Sequence, residues 1–337
     1  MRILLVKLSS LGDVVHAMPV VQDIVAAHPG AVIDWVVEPA FATLVQRVAG
    51  VAEVIGAPLR RWRQGWWTQR VRSEFNALRE RLQREAYDAV LDLQGLTKSA
   101  VIARLARLAP GGHRYGIGNR TEGSSWERPA RWLVDRPIRI EPRIHALDRS
   151  RVLAAKALGH TIGEPPRYGL RGSPAASARG AMATVVLVHG TSRDDKLWPN
   201  SHWITIGKRL LNEGWRIALP QGSEVEQTRA EMIAAALQFE RDPLVEVWPS
   251  LGLDAVVDRL AGVQGVIGVD SGLSHIAVAL GLPHVQIYNF PTAWRTGPLP
   301  SHGHHHQVVV QARPHPTPDA VWSACQQVLV PPRMVAR

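Results

Sequence analysis

One cysteine, Cys325, occurs in 337 residues. No disulfide can form within the chain, and such usage fits a reducing cytoplasm. Cys325 itself reads as a small core residue. Long apolar runs are missing too: Met1 to Val6 is hydrophobic but too short for a membrane span or a secretory signal. Acidic residues are few. The 29 Asp and Glu face 39 Lys and Arg, and the resulting formal charge of +10 points to an anionic partner. Nucleic acid, a lipid surface and a charged small molecule all fit that sign. The G-x-G-x-x-G spacing of a dinucleotide fingerprint is absent after the first strand.

What is present suits a two-domain globular protein. The length exceeds one typical core, and the apolar and charged fractions are ordinary. Twelve tryptophans are many for this length, and aromatic platforms suit sugars, nucleobases and membrane interfaces alike.

The chain reads as strand–loop–helix units in two series. Arg2 to Lys7 is a buried strand, Leu8 to Asp13 a loop and Val14 to Ala27 a helix. Asp13, at or near the helix start, is either an N-cap or a carboxylate held at the mouth of a cleft to take a proton. The helix dipole favours its ionised form. Strands follow at Val32 to Val37 and Val51 to Ile55. The run Arg60-Arg61-Trp62-Arg63-Gln64-Gly65-Trp66-Trp67 interleaves guanidinium groups with indoles that are hard to bury. It is a solvated basic loop or a site for an anionic ligand. A helix from Thr68 to Glu85 and a strand from Tyr87 to Leu93 lead to a turn at Gln94 to Ser99. Lys98 in that turn is solvated or aimed at an anion. Gly111 to Arg128 is expected to be a long loop, and His145 to Leu158 a helix.

Small residues and prolines between Gly163 and Ala183 mark the junction, giving domains 1–170 and 171–337. Thr184 to His189 opens the second series. Thr191, Ser192 and Lys196 lie just beyond it, in a capped turn or a phosphate site. Glu226 falls at the start of the helix after the Trp215 to Pro220 strand. Val263 to Val269 then runs into Asp270-Ser271-Gly272-Leu273-Ser274-His275, a tight turn opening a helix. Such a turn aims free N–H groups and the positive end of the helix dipole outward, ready for an anion. Val285 to Tyr288 is the last clear strand, and a final helix from about Pro318 to Leu329 is free to pack back on the first domain. His302 to His306 resembles a metal site, but adjacent histidines without carboxylate or thiolate partners seldom close a shell, so no metal is expected. Ligands of open parallel sheets sit beyond the carboxyl ends of the strands. Two such domains face to face would hold a ligand between Asp13 on one wall and Lys196 with the Asp270–His275 turn on the other.

These stretches resemble the bacterial lipopolysaccharide heptosyltransferases, glycosyltransferase family 9. Val6 to His16 is similar to the family's opening motif, and Thr191 to Pro199 and Val269 to His275 to its donor motifs. Arg60 to Arg63 and Asp92 to Ser99 are similar to the heptosyltransferase I branch in particular. The likeness runs over nearly the whole chain in order. It implies an α/β fold of the GT-B type, two Rossmann-like domains facing across a cleft. The N-terminal domain would bind the acceptor and the C-terminal domain ADP-heptose. It implies ADP-L-glycero-β-D-manno-heptose as donor and the Kdo sugar of Kdo2–lipid A as acceptor. Peripheral contact at the cytoplasmic face of the inner membrane is implied as well. Transfer would invert the anomeric centre, with no metal, no other cofactor and no nucleic acid.

Position by position, the resemblance makes Asp13 the general base and Lys196 a ligand of the donor diphosphate. Thr191, Ser192, Asp270, Ser271, Gly272 and His275 match donor positions, and Glu226 one near the ribose. Arg60, Arg61, Arg63 and Lys98 match the basic acceptor side. Arg120 and Arg128 are both candidates for a further acceptor arginine, because Trp126-Glu127-Arg128-Pro129 departs from the family's order. Asn289-Phe290-Pro291-Thr292 likewise stands where the family favours Gly-Pro-Thr. The alternative within the family is heptosyltransferase II, which adds to a heptose already in place. The Arg60–Trp67 run argues against it, since it suits an anionic Kdo and lipid phosphates. A non-catalytic module for nucleic acid or membrane rests on charge and tryptophans alone.

Overall fold

The structure, a computed structural model, describes residues 1–65, 67–173, 183–237 and 244–331. Contacts divide the chain into two compact units, Met1–Arg171 and Gly172–Arg337. No helix among the described residues is long and apolar enough to cross a membrane.

The first unit is a parallel sheet of β1 (Arg2–Val6), β2 (Val32–Val37), β3 (Val51–Gly56), β4 (Tyr87–Asp92), β5 (Leu108–Ile117) and β6 (Arg136–Ile138). Their spatial order is β3-β2-β1-β4-β5-β6. The helices are α1 (Leu11–Ala27), α2 (Ala42–Val45), α3 (Leu59–Trp62), α4 (Gln69–Arg84), α5 (Thr97–Leu105) and α6 (Ala146–Leu158). Four of the five β1 residues are fully buried, as a strand covered on both faces requires. The second unit repeats the plan with β7 (Thr184–Val188), β8 (Arg216–Leu219), β9 (Val245–Val247), β10 (Gly265–Val269), β11 (His284–Tyr288) and β12 (Gln307–Gln311). Its order is β12-β11-β10-β7-β8-β9. Its helices are α7 (Asn200–Asn212), α8 (Glu224–Leu237), α9 (Leu253–Ala261), α10 (Gly272–Ala279), α11 (Ala293–Thr296) and α12 (Pro318–Val328).

Both sheets reverse their strand order once, between β1 and β4 and between β7 and β10. Loops leaving the carboxyl ends of those neighbours turn to opposite faces and open a crevice, the usual ligand position in such sheets.

The structure differs from the sequence reading at several places. The expected loop from Gly111 begins as strand: β5 runs to Ile117 and pairs with β4. Glycine permits this approach, because a side chain at Gly112 would lie 2.7 Å from the carbonyl oxygen of Tyr87. β12 follows β11 and pairs with it over five residues. Trp62 is core rather than surface, 7% exposed and packed edge-on against Phe75. Its indole Nε1 donates to Glu74 at 2.8 Å, a partner twelve residues away. Trp66 lies outside the described residues. The final helix, α12, packs on β11, β12 and α7 of its own unit.

Candidate active site

At the first crevice, Ser10 is the N-cap of α1 and Asp13 its third residue. The Ser10 amide and hydroxyl donate to Asp13 Oδ2 at 3.2 and 2.9 Å. So Asp13 does cap, yet its other oxygen faces two cations: Lys7 Nζ at 3.7 Å and Arg149 Nη2 at 3.8 Å. Lys7 directly follows the buried strand β1 and also donates to the Leu93 carbonyl at 3.1 Å. Arg149 comes from α6, which packs along α1. Arg151, two residues on, fixes that pairing: fully buried, it grips both oxygens of Asp23 on α1, at 2.7 and 3.0 Å. The loop before α1 is held by Gln94, whose Oε1 accepts from the Leu8 amide at 2.7 Å and whose Nε2 donates to the Ser9 carbonyl at 2.6 Å.

Two carboxylates share this corner, and their surroundings push them apart. Asp92, at the end of β4, is 1% exposed; burial raises it to about 6, against hydrogen bonds from the Gln94 and Gly95 amides. The Asp13 side chain is 38% exposed. Its burial on the inner side works to raise its pKa, but Lys7, Arg149 and Ser10 outweigh it and hold the carboxyl below the ordinary value. Of the two, Asp13 is the accessible, ionised one, the state a general base needs. Replacing Lys7 with the neutral Met removes one of the charges that lower it. The acid limb of the pH–rate profile is then expected to move to higher pH, as a kcat titration between pH 4 and 8 would show.

The basic residues expected on the acceptor side differ in how far they are already bound. Arg60 and Arg63 are exposed on and just after α3, and the Arg60 amide donates to Glu38 at 3.1 Å. Arg61 is bound instead: its Nη2 lies 2.6 Å from Glu74, which also takes Arg70 and Trp62. These hydrogen bonds, Trp62 and Arg61 first, hold Glu74 down at about 2. Lys98 is exposed in the first turn of α5, close to Glu127, whose carboxylate accepts from the Thr97 amide at 2.8 Å. Arg120 and Arg128 are both exposed, and Arg120 directly precedes Thr121, a buried hydroxyl 3.3 Å from Arg149 Nη1.

The second crevice centres on Asp270 at the end of β10. Lys196 Nζ lies 2.6 Å from its Oδ2, and His275 Nε2 3.3 Å from its Oδ1. Burial alone would raise Asp270; His275 and Lys196 overcome it and keep the group well below the carboxylate range. Thr191 Oγ1 donates to the Asp270 carbonyl at 3.1 Å, tying the loop after β7 to the end of β10. Ser192 is exposed beside it. Ser271 is the N-cap of α10, extended and making no side-chain cap, while Ser274 turns inward to the Val269 carbonyl at 2.6 Å. The amides of Gly272, Leu273 and Ser274 therefore form an open helix N-terminus, with Lys196 beside it. Glu226, in the first turn of α8, accepts from the Gly222 amide at 2.8 Å. A β-carbon at Gly190 would collide with that carboxylate. Gly190→Ala is thus expected to displace Glu226 at little cost to folding; if this carboxylate takes the ribose, as the resemblance implies, ADP binding measured by calorimetry weakens several-fold.

The family model for glycosyltransferase family 9 (heptosyltransferase) matches residues 75–319. The chain belongs to that family. Lipopolysaccharide heptosyltransferase 1 of Escherichia coli (strain K12) is 39% identical over 297 residues, covering 86% of this chain and 88% of the relative. Lipopolysaccharide heptosyltransferase 2 of the same strain is 27% identical over 319 residues, 89% and 86% of the two chains. The solved structure of E. coli heptosyltransferase WaaC with ADP-2-deoxy-2-fluoro heptose superposes with a TM-score of 0.81 at 36% identity, covering 97% of this chain and 99% of that one. This member of family 9 is a heptosyltransferase of lipopolysaccharide biosynthesis, with the two parallel six-stranded sheets of a GT-B fold. Several residues of its crevices escape the sequence reading. Gln94 and Arg149 reach their places through contacts distant in sequence. Lys7 alone carries a local signal, a charged residue ending an otherwise apolar strand.

Proposed function

We propose that this chain transfers L-glycero-D-manno-heptose from ADP-L-glycero-β-D-manno-heptose to the Kdo sugar of Kdo2–lipid A, inverting the anomeric centre. The observation that carries the reading is Asp13: ionised, accessible, and fixed at the reversal point of its sheet. It takes the proton of the acceptor hydroxyl as that oxygen attacks C1 of the heptose and ADP departs from the opposite face. Lys196 and the N-terminus of α10 meet the charge that grows on the departing diphosphate, work a divalent cation does in other transferases. Thr191, Ser192, Ser271, Gly272 and His275 line that phosphate site, and Glu226 takes the ribose.

Arg60, Arg63, Lys98 and Arg120 are the exposed cations for the Kdo carboxylate and lipid A phosphates. Arg61 joins them only by leaving Glu74. A lipid-borne acceptor brings the enzyme to the cytoplasmic face of the inner membrane as a peripheral protein. The relative that carries the first-heptose name is the more similar of the two from one strain, 39% against 27% identical, which favours Kdo2–lipid A over a heptosylated acceptor. Purified enzyme assayed with a panel of nucleotide sugars, on Kdo2–lipid A and on the same acceptor already bearing one heptose, tests this. Turnover is expected with ADP-heptose and Kdo2–lipid A. Turnover confined to the heptosylated acceptor, or to another nucleotide sugar, overturns it.

A further inference from the structure

Lys196 sits on an irregular loop, and a loop lysine aims well only if its backbone is held. Among the described residues, the 191–197 segment is tacked to the sheet at three places. Thr191 binds the Asp270 carbonyl, the Lys196 ammonium binds the Asp270 carboxylate, and the third contact belongs to a residue with no role so far. Asn289 follows the last residue of β11 and is 6% exposed. Its Nδ2 donates to the carbonyls of Asp195 at 3.0 Å and Leu197 at 2.9 Å. These are the two residues flanking the lysine. The amide oxygen is buried with no hydrogen-bond partner among the described residues. A half-satisfied buried amide is costly, so packing alone does not account for it. Both of its hydrogen bonds go to the lysine loop.

We propose that Asn289 is a positioning residue for Lys196, clamping the carbonyls on either side so that the ammonium is held at the mouth of α10. The clamp also fixes which way the loop faces. The 3-10 turn at Asp194–Lys196 exposes both its aspartates, and the two Asn289 contacts draw the backbone on either side of the lysine toward the end of β11. Without the clamp the ammonium keeps its charge but samples positions away from the phosphates, and the ligand bears the entropy of ordering it. This rests on the reading of Lys196 as a ligand of the nucleotide diphosphate.

The test is a double-mutant cycle read by calorimetric binding of ADP to the full chain. It uses Asn289→Ala, Lys196→Ala and the double variant, with Asn289→Asp as a second probe that keeps the volume but removes both donors. Asn289→Ala is expected to weaken ADP binding about tenfold when Lys196 is present. Once Lys196 is alanine, it is expected to have almost no further effect, and the coupling is the signature. Asn289→Asp should show the same dependence on Lys196, even if Asn289→Ala lowers the melting temperature. An equal loss with and without Lys196 would make Asn289 a general brace of the domain and overturn the inference. Unchanged ADP binding in both Asn289 variants would overturn it as well. If Lys196→Ala itself leaves ADP binding unchanged, the reading of the lysine falls first and takes the clamp with it.

Discussion

Asp13→Asn is expected to lower kcat by about 10²–10⁴-fold, the range a positioned general base contributes, while ADP binds as tightly as before. The substitution is close to isosteric. The side-chain oxygen of asparagine still accepts from the Ser10 amide and hydroxyl, now at 3.2 and 2.9 Å from Asp13, so the start of α1 stays capped. What is lost is the negative charge between Lys7 and Arg149. Asp92, the other carboxylate at this corner, is 1% exposed and so is not placed to replace it. The nucleotide half-site proposed around Asp270 and Lys196 belongs to the other unit, so ADP affinity is expected to stay as it is. Steady-state kinetics with saturating donor, together with ADP calorimetry, separates the two effects. Near-normal turnover in the variant would remove Asp13 from the base role.

The same corner shows what sequence makes legible. Asp13, Asp270 and His275 stand in short strand–turn–helix stretches, where local spacing alone places polar groups at the end of a buried strand. The two series of strand–turn–helix units were readable for the same reason, since an apolar strand, a small-residue turn and a helix recur along the chain, whereas the spatial order of the strands was not. The partners that tune these groups are not local. Arg149 reaches Asp13 because α6 packs along α1, held by Arg151 against Asp23, 128 positions earlier. The Arg60–Trp67 run misled in part for a related reason. Composition marks three indoles as hard to bury, but Glu74 on the next helix gives Trp62 and Arg61 a common acceptor, so the run is half structural. The strand nature of Gly112 is likewise invisible in a glycine-rich stretch until its neighbour β4 is known.

Lys196→Ala is expected to raise the donor KM and lower kcat together, unlike Asp13→Asn. On the proposed reading the ammonium would meet diphosphate charge in the ground state and more of it as the bond to C1 breaks, so both constants would depend on it. A single preorganised donor of this kind contributes roughly 10²–10³-fold to kcat. The variant has a second consequence. Asp270 is 5% exposed and holds its charge through Lys196 and His275. Removing the lysine leaves that carboxylate with His275 at 3.3 Å, and a lost hydrogen bond to a charged group costs roughly 1.5–3 kcal/mol of stability. The pH dependence identifies the source. The folded pKa of Asp270 is depressed, so the pair stabilises the fold fully above the unfolded value of about 4 and loses its effect as pH falls through the folded value. Wild type and Lys196→Ala should therefore differ most in melting temperature at neutral pH and converge under acid. A melting difference that persists unchanged at low pH would place the lysine's contribution elsewhere than on Asp270.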